Sequence, residues 1–146
     1  MRSIPIKLRA IRTPNTFFII VHDKDSNDCK LLKDRLVHLC KENGRPDTLV
    51  RIVCHELESW FLGDLNAVEK AFGSTNLSSL QNKAKYRDPD QLANPVQELK
   101  KLVRDYQKLS GSREISKHIN VNNNHSRSFN VFLAGIEKMI LKNTQG

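Results

Sequence analysis

Apolar residues first cluster in the run Phe17–Val21, which follows a turn signal at Pro14-Asn15. A run that is apolar at every position predicts a strand buried on both faces, as in a parallel sheet. A helix is then predicted over about 28–43, with Gly44 placed to end it. The apolar positions of this helix recur with helical spacing, at Leu32, Leu36, Leu39 and Cys40.

A second apolar run, Leu49–Cys54, predicts another strand. Strand, helix and strand in this order form a βαβ unit, in which the strands are parallel and the crossover is right-handed. Further helices are predicted near 55–64, at 66–72, and over about 95–105, 112–119 and 126–142, with a polar loop over 74–89. The predicted fold class is therefore α/β, with a parallel βαβ core and a helical C-terminal extension.

The length of 146 residues predicts one domain. Within it we expect a basic N-terminal segment over 1–16, the βαβ core over 17–73, and a mainly helical, basic extension over 74–146 that packs on the same domain. No apolar run approaches the roughly 18 residues that cross a bilayer. The N-terminus lacks the apolar stretch of a secretory signal, so no membrane partner is expected.

Three cysteines, Cys29, Cys40 and Cys54, form no C-x-x-C pair. On one helix Cys29 and Cys40 would lie about 16 Å apart. That separation is too large for a disulfide. We expect three reduced thiols and a cytoplasmic protein.

The formal net charge of +8 is spread unevenly along the chain. Residues 1–16 contain four bases and no acid, residues 17–69 carry a net charge of −3, and residues 70–146 carry +7. An acidic middle between basic arms fits a carboxylate cluster that binds a metal ion beside a surface that binds phosphate. A solvated, lysine-rich surface without a ligand fits the same distribution.

Two aspartates, Asp23 and Asp25, directly follow the first predicted strand. In open α/β sheets, ligands bind beyond the carboxyl ends of the strands, where carboxylates at i and i+2 can reach one cation. Mg²⁺ or Mn²⁺ is the expected cofactor, because both ions prefer hard oxygen ligands. The alternative is that the two aspartates are turn and helix-cap residues that hold no metal.

The segment HELESW at 55–60 follows the second strand and therefore emerges at the same edge of the sheet as the two aspartates. Glu56 and Glu58 flank the apolar side of the helix predicted there, so either carboxylate can join the metal site. Both are equally compatible with solvated helix positions, and Trp60 is expected in the core. The zinc motif H-E-x-x-H is absent.

Basic residues with interleaved tyrosines follow in the second half of the chain. The segments SGSR at 110–113 and SRS at 126–128 place hydroxyl groups and an arginine at predicted helix starts, an arrangement that suits a bound phosphate. Helix capping by the serines, without any anion, explains both segments as well. The residues expected to bind the phosphates of a nucleic acid are Lys83, Lys85, Arg87, Arg113 and Arg127.

Five blocks of the sequence together resemble a bacterial family of unknown function that is related to Toprim domains. They are, in order, FFIIVHDKDSNDC, VRIVCHELESWFLGD, NKAKYRDPDQLANP, YQKLSGSREISKHI and HSRSFNVFLAGI, and they cover nearly all of residues 8–137. Toprim domains use a D-x-D motif with Mg²⁺ for phosphoryl transfer on nucleic acid. The resemblance implies that Asp23 and Asp25 are these metal ligands, on a partial Toprim-like (Rossmann-like) fold, and that an ATPase is a partner in defence against phage.

Toprim domains carry a strand that ends in Glu before the D-x-D strand, whereas the sixteen residues before Phe17 contain no Asp or Glu. We therefore expect the leading strand–helix portion of the family to be missing here. Its absence would leave one edge of the sheet uncovered.

The leading hypothesis from the sequence is a Mg²⁺-dependent nuclease or other phosphoryl-transfer protein of Toprim type. In it Asp23, Asp25 and Glu56 form the catalytic site, and Glu58 is a further metal ligand. The alternative is a non-catalytic module that binds nucleic acid or another protein, and whose carboxylates are structural. A truncated remnant that keeps a folded core is the third possibility.

Overall fold

The computed structural model describes residues 3–24, 28–53 and 56–144. Within these residues the chain forms two strands, β1 (Ile19–Asp23) and β2 (Leu49–Val53), and seven helices. The helices are α1 (Ser3–Ala10), α2 (Cys29–Glu42), α3 (Glu58–Leu62), α4 (Leu65–Phe72), α5 (Pro95–Leu102), α6 (Lys108–Ser116) and α7 (Arg127–Thr144). Two 3₁₀ turns, Ser78–Leu80 and Pro89–Gln91, lie between α4 and α5. The predicted α/β class with a parallel βαβ core is confirmed.

The two strands pair in parallel, from Ile19 beside Leu49 to Asp23 beside Val53. The backbone N–H of Leu49 donates to the carbonyl oxygen of Phe18 at 2.9 Å, at the start of the ladder. In a parallel ladder, alternate residues of a strand bond to a given neighbour. Leu49 and every second residue after it therefore face β1.

The remaining residues of β2, Val50 and Ile52, point their backbone groups away from β1, along the outer edge of the strand. Within the described residues no third strand pairs with this edge. One carbonyl on it has a side-chain partner, because Arg51 Nη1 donates to Val50 O at 3.0 Å. The outer edge of β2 thus offers backbone donors and acceptors to whatever lies beside it.

Helix α2 lies against one face of this sheet and confirms the helix predicted over 28–43. It begins where Asp28 accepts hydrogen bonds from the N–H groups of Lys30 and Leu31, at 2.8 and 2.9 Å, which satisfies two of the unpaired donors of its first turn. Its buried face joins one core cluster with the sheet, formed by Leu8, Leu32, Leu36, Cys40 and Val50. Burial raises the pKa of the Cys40 thiol.

The prediction that the first strand is buried on both faces was wrong. Phe17, Ile19 and Val21 share one face and are 51%, 40% and 42% exposed. The physical reason is that α7 packs on this face of the sheet chiefly over β2 and leaves β1 largely uncovered. The strand also begins two residues later than its apolar run and includes His22 and Asp23.

The N-terminal segment over 1–16, which carried no predicted element, contains α1. This helix has one buried residue, Leu8, so its sequence lacks the recurring apolar positions that predict a helix. Arg45 holds the end of α1, because its Nε donates to Leu8 O at 3.3 Å and its Nη2 to Ile11 O. The same guanidinium lies 4.6 Å from the centre of the Phe18 ring.

The helices after β2 build a second core. It contains residues of α3, α4, α5 and α6, and its fully buried members include Leu62, Leu65, Leu99, Tyr106 and Ile115. Because α3 and α4 belong to the predicted core segment and α5 and α6 to the predicted extension, the two segments share this packing. A third, smaller cluster connects α7 to the sheet through Val53, Trp60 and Phe129.

Trp60 lies in the core, as expected, at 6% exposure. Its ring is stacked on Phe132 with centroids 4.9 Å apart, and it meets Phe129 edge to face at 5.4 Å. Searching the described ranges reveals no helix with the length and apolar character that a bilayer span requires.

Candidate functional site

Asp23 is the last residue of β1 and stands at the carboxyl edge of the sheet. The next residue continues the pairing, because Lys24 N donates to Val53 O at 3.0 Å. Asp25 lies outside the described residues, as does His55. Of the two aspartates predicted to bind a metal, the structure therefore positions Asp23 alone, at the place where ligands of α/β sheets bind.

Glu58 is turned into the protein. Its side chain is 4% exposed and accepts a hydrogen bond from the Tyr106 hydroxyl at 2.9 Å. Burial raises the pKa of Tyr106, so this hydroxyl keeps its proton and acts as the donor. The pair connects α3 to the start of α6 inside the second core, which gives Glu58 a structural partner.

Glu56 precedes α3, which begins at Glu58 and not near His55 as predicted. Its Oε2 accepts the backbone N–H of Val96 at 3.2 Å, and its Oε1 lies 3.5 Å from Lys108 Nζ. Val96 is in the first turn of α5, so the carboxylate satisfies a donor that the helix leaves unpaired. Both predicted glutamate ligands are thus bound within the helical part of the chain.

The described ranges contain no group of three histidine, cysteine or acidic side chains that could hold a metal ion. Asp23, Glu56 and Glu58 are therefore not brought together as one ligand set. The described residues alone do not fit a complete Mg²⁺ site, and the ligand pair of Asp23 and Asp25 stays a prediction.

The predicted basic residues have different surroundings. Lys85 lies 2.5 Å from Glu98 Oε2, and this contact raises the pKa of Lys85. Lys101 pairs with the same carboxylate at 2.7 Å, and the two lysines, Lys101 foremost, lower the pKa of Glu98. The other predicted phosphate ligands, Lys83, Arg87, Arg113 and Arg127, are exposed.

The helix start predicted at SGSR 110–113 was wrong. Helix α6 begins at Lys108, so these residues lie within it. Gly111 is buried against Tyr106, whose ring atoms would lie 2.5 Å from an added Cβ. The glycine thus permits close packing between α6 and the tyrosine.

The second predicted helix start, SRS at 126–128, does begin a helix, α7. Ser126 Oγ accepts the N–H of Phe129 at 3.2 Å and acts as the helix cap. The anion at this helix start is the carboxylate of Asp90. It accepts Ser128 N at 2.8 Å, Ser126 Oγ at 2.7 Å and Ser128 Oγ at 3.1 Å.

Asp90 therefore occupies the place that the sequence assigned to a phosphate. The same site is tied to the core, because Trp60 Nε1 donates to Ser128 Oγ at 2.8 Å. Sequence reasoning did not single out Asp90, although D-P-D at 88–90 stands beside a predicted basic segment. Only the fold brings it to a helix that begins more than thirty residues later.

A cleft of about 690 Å³ runs along the outer edge of β2, and we call it the β2 cleft. Its walls are the first two turns of α2 (29–33), the turn at 88–91 and the start of α7 (127–131), and its floor is β2 residues 50–52. Four basic side chains line it: Lys30, Lys33, Arg51 and Arg127. The acids in its lining are Asp88 and the internally bonded Asp90, so positive charge is in excess.

Three of these bases differ from five of the lysines elsewhere on the surface, which pair with acids. Within the described residues, Lys30, Lys33 and Arg127 form no ion pair, whereas Arg51 donates to the carbonyl oxygens of Val50 and Val131. Lysines outside the cleft that do pair with acids are Lys85, Lys101, Lys108, Lys117 and Lys142. An anion in the cleft would therefore meet three cations that have no acidic partner in the described part of the chain.

A second cavity, of about 560 Å³, lies at the amino ends of the strands and offers less to an anion. Three of its four bases are already engaged: Arg45 by the carbonyl groups that end α1, Arg51 by those of Val50 and Val131, and Lys142 by Asp47 at 3.1 Å. The fourth, Lys138, forms no ion pair within the described residues. A third, of about 350 Å³, is lined by polar residues around Asp64, whose carboxylate accepts the N–H groups of Ala67 and Asn120.

A protein-family model matches residues 5–137, which is most of the chain, and its description is a domain of unknown function, DUF4276. No curated protein and no solved structure matches the chain.

Proposed function

The chain belongs to this family, and we propose that it binds nucleic acid through phosphate groups held in the β2 cleft. The observation that carries the proposal is the set of cleft bases, Lys30, Lys33 and Arg127, which have no ion pair within the described residues. Phosphates attract such side chains, and the release of their counterions supplies much of the binding free energy. The net charge of +8 adds a long-range attraction for a polyanion.

The proposal includes Toprim-type phosphoryl transfer, with Asp23 and Asp25 as ligands of Mg²⁺. Two observations support it: the five sequence blocks that resemble Toprim-related proteins, and the place of Asp23 at the end of β1. Cys29, six residues further on, begins α2 and already lines the cleft. Six residues span at most about 20 Å, so the strand end and this wall of the cleft are no further apart than that. The ion, when bound, supplies positive charge against the phosphate oxygens.

A non-catalytic binding module is the second candidate. It is favoured by Glu58 and Glu56, whose carboxylates are bound to Tyr106 and to the start of α5. An ATPase partner rests on the Toprim resemblance alone. Both candidate functions use the β2 cleft for binding, and only phosphoryl transfer requires a bound metal ion.

Binding is tested with a fluorescent single-stranded oligonucleotide of about ten nucleotides. We expect the double variant Lys30→Ala/Lys33→Ala to bind at least about tenfold more weakly than the wild type at low salt, because two phosphate contacts are lost. The matched control, Lys117→Ala/Lys142→Ala, removes the same charge from paired lysines outside the cleft. Equal weakening by both variants, or no binding by the wild type, would overturn the proposal.

The metal is tested by thermal unfolding and by nuclease assay with Mg²⁺ and Mn²⁺. Phosphoryl transfer predicts that either ion raises the melting temperature, that Asp23→Asn abolishes the rise, and that strand cleavage needs the ion. Oligonucleotide binding without any of these effects would leave the non-catalytic module as the function. Asp28→Asn, at the cap of α2, is the control for loss of a nearby carboxylate.

A further inference from the structure

The β2 cleft joins two kinds of surface that one ligand would have to match. Three of its bases come from α2 and from the first residue of α7, and they are exposed. The fourth, Arg51, is half-buried on β2 and bonded to the carbonyl oxygens of Val50 and Val131. Its floor is the outer edge of β2, where Val50 and Ile52 point backbone groups outward, Val50 O being bonded to Arg51, and where Ile52 is half-buried. A simple inorganic anion would contact the basic side chains and would make no contact with the apolar and backbone groups of the floor.

Val131 stands on the α7 side of the same cleft and is 49% exposed. With the half-buried Ile52 it adds apolar surface to the cleft between its charged residues. A nucleobase has a flat apolar face and an edge of amide-like donors and acceptors, so it matches an apolar wall beside a strand edge. The phosphate attached to that nucleobase would then contact the basic side chains of Lys30, Lys33 and Arg127.

We propose that the β2 cleft binds an unpaired nucleotide of a single strand, with its base between Val131 and the edge of β2 and its phosphate on Lys30, Lys33 and Arg127. This inference rests on the proposed function and narrows its substrate class. The volume of about 690 Å³ is within the range of pockets that enclose small ligands. A duplex keeps its bases stacked and paired inside, so it can offer this cleft its backbone but no base.

Three probes of equal length separate these contacts: oligothymidylate, an abasic strand with the same phosphate backbone, and a duplex. We expect oligothymidylate to bind the wild type about tenfold more tightly than the abasic strand, since burial of the nucleobase against the apolar side chains of the cleft adds to the phosphate contacts. Equal affinity for the abasic strand and oligothymidylate would overturn the unpaired-nucleotide inference and leave phosphate binding intact. Tighter binding of the duplex would also overturn it. Failure of all three probes to bind would overturn the proposed function itself.

A substitution of Val131 tests where the nucleobase lies in the cleft. We expect Val131→Ala to weaken oligothymidylate binding about threefold or more and to leave the affinity for the abasic strand unchanged. Val121→Ala is the matched control, because Val121 is 54% exposed and does not line the cleft. Loss of affinity for both probes in the Val131 variant, or for neither, would contradict the placement of the base.

Discussion

The β2 cleft and the surface around α5 and α6 are both rich in basic residues, but their surroundings differ. Around α5 and α6, Glu98 pairs with Lys85 and Lys101, and Glu56 with Lys108. Of the two acids in the cleft lining, Asp90 is bonded to the start of α7, and Asp88 forms no ion pair within the described residues. Four lysines of the first surface are thus held by acids of the protein, Lys117 by Glu114 among them, whereas three bases of the cleft form no ion pair within the described residues.

This difference shows how carboxylates inside the fold decide where positive charge is available. Asp64, Asp90 and Glu58 are buried, and each accepts hydrogen bonds from groups that would otherwise be unsatisfied. Carboxylates bonded to backbone and hydroxyl donors do not neutralise a lysine. A count of charges along the sequence therefore indicates that phosphate binding is feasible, but it does not locate the surface.

The largest expected effect is a loss of stability in Asp90→Ala, which removes the carboxylate that holds the start of α7 at the cleft. The change leaves the N–H of Ser128 and two serine hydroxyls without their buried acceptor, so we expect the free energy of unfolding to fall by about 3 kcal/mol. Urea unfolding monitored by Trp60 fluorescence measures it. Asp88→Ala, at an exposed position of the same turn, should cost little. Equal losses in both variants would contradict the role given to Asp90.

A smaller loss of stability is expected for Glu98→Gln, which removes the ion pairs of Glu98 with Lys85 and Lys101. The pKa of Glu98 is lowered by Lys101 and Lys85, so its ionised form stabilises the fold above the unfolded pKa of about 4.3. We expect the wild type to exceed the variant by about 1 kcal/mol at neutral pH. The two should converge as the pH falls through the lowered pKa. A constant difference across this range in urea unfolding would contradict the ion pairing.

The smallest expected effect is that of Lys117→Ala, which removes a base already paired with Glu114 on the same helix. Exposed pairs of this kind contribute little to stability, and this one lies outside the cleft. We expect unchanged unfolding and an unchanged oligonucleotide affinity at low salt. A loss of affinity comparable to that of Lys33→Ala would show that general charge, rather than the cleft, attracts the strand.

The βαβ unit could be predicted from the sequence because residues close together in the chain specify each of its elements. Helix α2 has a cap at Asp28 and apolar positions at helical spacing, and α4 has Asp64 before it and Gly73, with φ of 61°, after it. Helix α1 escaped prediction because it buries little besides Leu8. The exposure of one face of β1 was not predicted, because an apolar run does not reveal which elements of the fold cover it.

The candidate site was less predictable, because it depends on contacts between distant segments. Arg127 was predicted from the sequence to bind phosphate, whereas Lys30 and Lys33 were not singled out. Their spacing of i and i+3 puts them on one side of α2, which is a signal that sequence could have supplied. That Asp90 would reach the start of α7 follows from the tertiary fold alone.

The salt dependence of oligonucleotide binding tests most directly that the cleft bases hold phosphates. For a single strand, the slope of log K against log salt changes by about 0.7 for each phosphate contact. Compared with the wild type, Lys30→Ala/Lys33→Ala should lower the magnitude of the slope by about 1.4. The control Lys117→Ala/Lys142→Ala should keep the wild-type slope. Equal slopes for the wild type and the cleft variant would contradict phosphate binding in the β2 cleft.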